Sequence, residues 1–127
     1  MDFQVQNNKN KEYDQHIITA LKKLPDPLTT FDGRKVFFDV DKRNETIYEH
    51  IANKKHHLHC ADIIQIPEIL KNKECLKNDR NGARYKTYIG RRKKQKEKNK
   101  YLKIVTKVKK NKDESIITIC TVKNTPK

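Results

Sequence analysis

Between Arg84 and Lys112 the chain carries 14 Lys or Arg and one acid, Glu97, a net of +13 out of the +14 of all 127 residues. The same segment holds two runs of β-forming residues, "ARYKTYIG" and "YLKIVTKVKK", and a third, "SIITICTV", follows it. A strand sends successive side chains to opposite faces. In the middle run Leu102, Ile104 and Val108 share one face, while Lys103, Lys107 and Lys109 share the other with Val105. Cations in that number cannot be buried without partners. The segment can therefore fold only as a sheet with one face covered and the other mostly basic and open. The separators "GRRKKQKEKNK" and "NKDE" predict an antiparallel meander over about 83–123.

The cover must come from the rest of the chain, and three segments there have helical periodicity. "EYDQHIITALKKL" places Tyr13, Ile17, Ala20, Leu21 and Leu24 on one side, and "PDP" at 25–27 stops the helix. "NETIYEHIANKKHHL" offers Asn44 as N-cap, Glu45 in the first turn, and Ile47, Tyr48, Ile51 and Ala52 as the apolar side. "CADIIQIPEILKN" predicts a short or broken third helix, capped by Asp62, with Pro67 near a helix start and Ile63, Ile66, Ile69 and Leu70 as its stripe. Between the first two, Asp32-Gly33 reads as a turn and Val36 to Val40 as a strand. Residues 1–11 have too little apolar content to offset the entropy of ordering and read as a loose tail. The expectation is one α+β domain over 12–127, its helical half over about 12–78 packed on one face of a small, mainly antiparallel sheet.

A field this positive attracts polyanions, and RNA, DNA, an anionic membrane surface and an acidic protein all satisfy it. No apolar run approaches the ~20 residues that cross a bilayer, so a membrane-spanning role is not expected. Cys60, Cys75 and Cys120 are odd in number and far apart. They form no disulfide framework and predict a reduced, cytoplasmic setting, reached directly or by delivery as part of a larger protein.

"EHIANKKHHLHC", residues 49–60, gathers four of the five histidines with a cysteine. Structural zinc sites draw two ligand pairs from separate segments, and no second pair exists, so neither metal nor other cofactor is expected. Solvated histidines at a helix C-terminus are the bland alternative. As acids and bases they suit RNA cleavage, in which the 2′-hydroxyl loses a proton and the 5′-oxygen gains one. His50 and His57 are seven apart, so a continuing helix would present both on one face. Arg84, Lys86 and Tyr88 alternate along the next strand as candidate transition-state cations and an aromatic partner. Lys54, Lys55, Arg91, Arg92, Lys93, Lys103 and Lys107 are candidate RNA contacts.

Taken in order, "VFFDVDKRNETIYEHIANKKHHL", "ADIIQIPEILKN", "RYKTYIGRRKK", "KYLKIVTKVKK" and "SIITICTV" resemble the phage-associated branch of the barnase, EndoU, colicin and RelE ribonuclease superfamily, over roughly 34–122. Two departures stand out: a spacing between His50 and "KKH" about one residue longer, and Lys73 where a proline is usual. The resemblance implies that His50 matches the family's first histidine, and His56 or His57 its second. It implies that Arg84 and Tyr88 match basic and aromatic strand positions, with Thr118 or its rival Thr121 as a terminal hydroxyl. It further implies a metal-independent RNase, often a toxin acting on tRNA or other cellular RNA, restrained by an acidic immunity protein or antitoxin.

Overall fold

The computed structural model describes residues 12–78, 83–93 and 100–123. The tail expected over 1–11 lies outside the described residues, as do positions 94–99 of the basic segment. Among the described residues the chain runs α1 (Gln15–Lys22), β1 (Leu28–Thr29), β2 (Lys35–Phe37), α2 (Ile47–Ile51) and α3 (Cys60–Leu70). Then follow β3 (Tyr85–Arg91), β4 (Tyr101–Val108) and β5 (Glu114–Val122). Single 3-10 turns at Lys54–His56 and Lys73–Cys75 follow α2 and α3. The fold is α+β, with a five-stranded mixed sheet in the order β1-β2-β5-β4-β3.

The meander forms as its alternation demands. β3, β4 and β5 pair antiparallel, with Tyr88 opposite Ile104 and Ile104 opposite Ile119, and these three residues are fully buried. An irregularity between Val105 and Thr106 shifts the β4–β5 register. Such a bulge bends the strand and increases the local twist. β2 adds to β5 in parallel, Val36 opposite Glu114, and β1 closes the edge antiparallel to β2. β2 ends at Phe37, short of the expected Val40, because the Phe38 backbone N–H donates to Asp26 Oδ1 at 3.2 Å instead of to a strand.

The helices bury Ile17, Ile18 and Leu21 from α1, Ile47 and Ile51 from α2, and Ile63, Ile66, Ile69 and Leu70 from α3, in one cluster with the inner sheet face. The second helix is capped by Thr46 and not by Asn44. Thr46 Oγ1 accepts from the Glu49 backbone N–H, while Glu49 accepts in return from Thr46, a capping box. Asn44 instead sits at φ 59 in the tight turn that joins Lys42 to Glu45. The third helix is neither broken nor started at Pro67, which lies inside it, eighth of eleven residues. A mid-helix proline costs ~3 kcal/mol, and the four buried aliphatic side chains of α3 outweigh that.

The N-terminus of α3 is held by a buried ion pair. Arg92 Nε and Nη2 each donate at 2.8 Å to a different oxygen of Asp62, and both side chains are at most 1% exposed. Asp62 Oδ2 also accepts from the His59 backbone N–H at 2.8 Å. Where β3 passes α3, Gly90 leaves no room for a side chain: a Cβ there would lie 2.6 Å from Ile69 Cγ1.

A second buried polar group sits at the far end of the sheet. Tyr88 Oη and Thr106 Oγ1 donate to Glu114 Oε1 at 2.8 and 2.7 Å, and Lys86 Nζ lies 3.9 Å from Oε2. Burial and the Glu114 carboxylate together push the Tyr88 phenol far above its ordinary value, so it stays a donor.

Breaking the Arg92–Asp62 pair strands a charge in the core. Arg92→Met is expected to cost about 3–5 kcal/mol in urea unfolding. The neighbouring Lys93→Ala, which loses only an exposed pair with Glu68, should cost at most about 1 kcal/mol. Equal losses from the two variants would refute this role for Arg92.

Candidate active site

The histidine stretch does not continue as a helix. α2 stops at Ile51, Asn53 Oδ1 accepts from the Lys55 backbone N–H at 3.0 Å, and that cap starts the 3-10 turn Lys54–His56. His57 then turns left-handed at φ 56. The expected pairing of His50 with His57 across two helical turns is therefore overturned. It is His56 whose ring lies against His50, edge to face, with centroids 5.4 Å apart.

The turn is clamped from the other end of the helical half. Tyr13 and Asn53 form an antiparallel bridge, the Asp14 N–H donates to Ala52 O at 2.9 Å, and the Lys54 N–H donates to Glu12 O at 3.0 Å. Tyr13, read from sequence as part of the first helix, is thereby placed ahead of it. Its hydroxyl donates to Glu45 Oε2 at 2.7 Å. Glu45 Oε1 lies 3.2 Å from His50 Nδ1.

These contacts fix both tautomers. A carbonyl oxygen only accepts, so His56 Nδ1, 3.1 Å from Ile51 O, carries the proton of that bond. An ionised Glu45 likewise takes the Nδ1 proton of His50. Each neutral ring then holds its lone pair on Nε2. Among the described residues neither Nε2 has a protein partner, and neither is sealed from water, since the one buried side-chain polar atom there without a hydrogen bond is Glu114 Oε2.

Both histidines are held below the ordinary imidazole value. For His50 the causes are burial and then Lys42, opposed by the hydrogen bond and charge of Glu45. For His56 the main cause is burial, with the bond to Ile51 O opposing and the charges of His50 and Lys55 adding to the depression. Burial and Glu45 push the Tyr13 phenol up to about 12, which keeps it a hydrogen-bond donor to Glu45 across the working pH range.

The other candidates divide between this corner and the rest of the sheet. Thr121 belongs to the corner: its Oγ1 donates to His56 O at 3.2 Å. Thr118 pairs with Val105 on the opposite face, so it does not meet the histidines. Lys54 and Lys55 are exposed on the turn itself. Arg91 and Lys93 are exposed near the β3–β4 turn, at the same end of the sheet as Thr121, but Arg91 follows Gly90, which lies in register with Leu102 and Thr121, and so it faces the open side. Arg92 is buried against Asp62 and, through Nη2, reaches His57 O at 3.5 Å, so it anchors the turn and offers no charge to a ligand.

Three expected site residues are elsewhere. Arg84 is exposed at the start of β3, seven residues before Arg91, or ~23 Å along a strand. Lys86 and Tyr88 face the core, because the alternation that puts Ile104 inside puts their partners inside with it. They serve Glu114 and do not reach the open face. Lys103 and Lys107 do lie on that open face, half-buried and exposed respectively. Glu45 and Tyr13 were missed because nothing in their spacing links them to His50. Only the tight Lys42–Glu45 turn and the Tyr13–Asn53 bridge bring them there.

Among the described residues no group of three or more His, Cys, Asp or Glu is arranged to hold a metal ion, and no helix is long and apolar enough to cross a membrane. Compared with protein families, curated proteins and solved structures, the chain matches none of them.

The depressed histidines tie stability to pH. The folded chain binds fewer protons at His50 and His56 than the unfolded chain, so their contribution is complete above about pH 6.5 and is lost as pH falls through the folded values. NMR titration should place both below the ordinary histidine value, and Glu45→Gln should lower His50 further. A His50 value that rises in that variant would contradict the Glu45 contact.

Proposed function

We propose that this protein is a metal-independent endoribonuclease with His50 and His56 as its proton-transfer pair. The observation that supports this is the pair itself: two imidazoles 5.4 Å between centroids, each anchored through Nδ1, each with an accessible Nε2. His56, set between the positive charges of His50 and Lys55, is favoured in its unprotonated form and so serves as the base. His50, backed by Glu45, better holds the proton of an acid. In the cleavage step the 2′-oxygen bonds to phosphorus as His56 Nε2 takes its proton. The bond from phosphorus to the 5′-oxygen breaks as His50 Nε2 supplies one. The products are a 2′,3′-cyclic phosphate and a 5′-hydroxyl. Lys42, Lys54 and Lys55 supply charge for the phosphate, in place of Arg84.

The ribonuclease resemblance of the sequence agrees with this reading and extends it to a toxin-type enzyme. Such an enzyme would act on tRNA or other RNA in the cytoplasm and be restrained by an acidic inhibitor protein. The test is total RNA incubated with the full chain in EDTA. His50→Ala and His56→Ala should each slow cleavage by about 10²–10⁴-fold, whereas the exposed His57→Ala should leave it largely intact. Absence of cleavage, or full activity in the double His50→Ala, His56→Ala variant, refutes the mechanism.

A second reading, a non-catalytic RNA- or DNA-binding module, is favoured by the open sheet face. Tyr85 and Arg91 on β3, with Tyr101, Lys103 and Lys107 on β4, lie there without an acid in either strand. Three phosphate contacts would give a salt slope near about −2 for single strands, and Lys103→Ala with Lys107→Ala should remove about two-thirds of it. Binding with that slope and RNA left intact would favour this reading over the enzyme.

A further inference from the structure

We infer that the His50–His56 pair is also a binding site for one divalent transition-metal ion of the imidazole-preferring kind, such as Ni²⁺ or Zn²⁺. Resting on the ribonuclease reading, we further infer that occupancy of this site switches cleavage off. The geometry carries the first part. Two imidazoles that share a tetrahedral ion at ~2.0–2.1 Å through Nε2 have ring centroids about 5 Å apart, and here the separation is 5.4 Å. Metal-bound histidines hold their other ring nitrogen to a carboxylate or a backbone carbonyl, which sets the tautomer and the ring orientation. His50 has Glu45 Oε1 at 3.2 Å in that place and His56 has Ile51 O at 3.1 Å. That arrangement is formed without any ion, and it leaves the ligating lone pair of each ring open to solvent.

The same residues show why such an ion would be a visitor. Among the described residues only two protein ligands are offered, because no third His, Cys, Asp or Glu completes a group. Water or a phosphate oxygen must fill the remaining positions, which keeps the affinity moderate and the ion exchangeable. An ion there occupies both Nε2 lone pairs. His56 could then accept no proton and His50 could hold none, so metal binding and proton transfer exclude each other.

Calorimetry of the full chain with Ni²⁺, chosen because imidazole suits it better than thiolate does, tests the site directly. One equivalent should bind. Binding should be lost in His50→Ala and in His56→Ala, kept in His16→Ala, and weakened about tenfold in Glu45→Gln, which changes an outer partner and no ligand. Circular dichroism would confirm that each variant is folded, with His50→Gln and His56→Gln as conservative replacements. No saturable binding, or binding that survives either histidine substitution in a folded protein, overturns the site. RNA cleavage measured alongside should fall to half at the calorimetric Kd. Cleavage that continues at saturating Ni²⁺ overturns the switch. A chain that cleaves no RNA at all refutes the ribonuclease reading and the switch with it, while the calorimetry still decides the metal site.

Discussion

The bidentate ion pair between Arg92 and Asp62 is the point from which the histidine corner of this molecule is built. It joins the end of β3 to the first turn of α3, and the same guanidinium reaches the His57 carbonyl. A charge pair in a dry environment stabilises little beyond its own desolvation cost. Its worth is positional, since two fixed N–H···O bonds define an orientation that apolar contacts alone would leave loose. With β3, α3 and the His57 carbonyl joined, the 3-10 turn carrying His56 is held between α2, Thr121 and the segment around Tyr13.

Charge is sorted in this fold by depth as well as by face. Of the cations between Arg84 and Lys112, the structure buries Lys86 and Arg92 and gives each a carboxylate, Glu114 and Asp62. The other described cations of the segment are left on the open face or near the turns. The buried cations hold the protein together, and the exposed ones generate its field. A polyanion meets only the second set, so the nominal charge overstates what any ligand can touch.

Much of the architecture was legible in the residues. Alternation in "YLKIVTKVKK" gave the inner and outer faces of β4, and the spacing of Ile63, Ile66, Ile69 and Leu70 gave the buried stripe of α3. The capping box Thr46 to Glu49 is also a readable signal, although Asn44 competes with it as an equally good cap residue by type. Other features resisted for physical reasons. Tyr88 and Lys86 look like an exposed basic strand face until Glu114, 26 residues beyond Tyr88, supplies a buried acceptor. The choice between His56 and His57 turned on Asn53, whose side chain caps the next turn and ends the helical phase that a seven-residue spacing assumes. Glu45 reaches His50 only through a left-handed Asn44, a conformation that no periodicity records.

The backbone clamp of Glu12 to Asp14 on the histidine turn is a single antiparallel bridge of two hydrogen bonds, and most of the large apolar side chains of the core belong to other segments. Local opening free energy follows the surface that opening exposes. The histidine corner can therefore open while the sheet and the helices behind it stay packed. Loss of the His50–His56 geometry and loss of the fold become separate transitions, and the first lies closer to native conditions. A partner that engages residues 12–14 would govern the histidines without touching them.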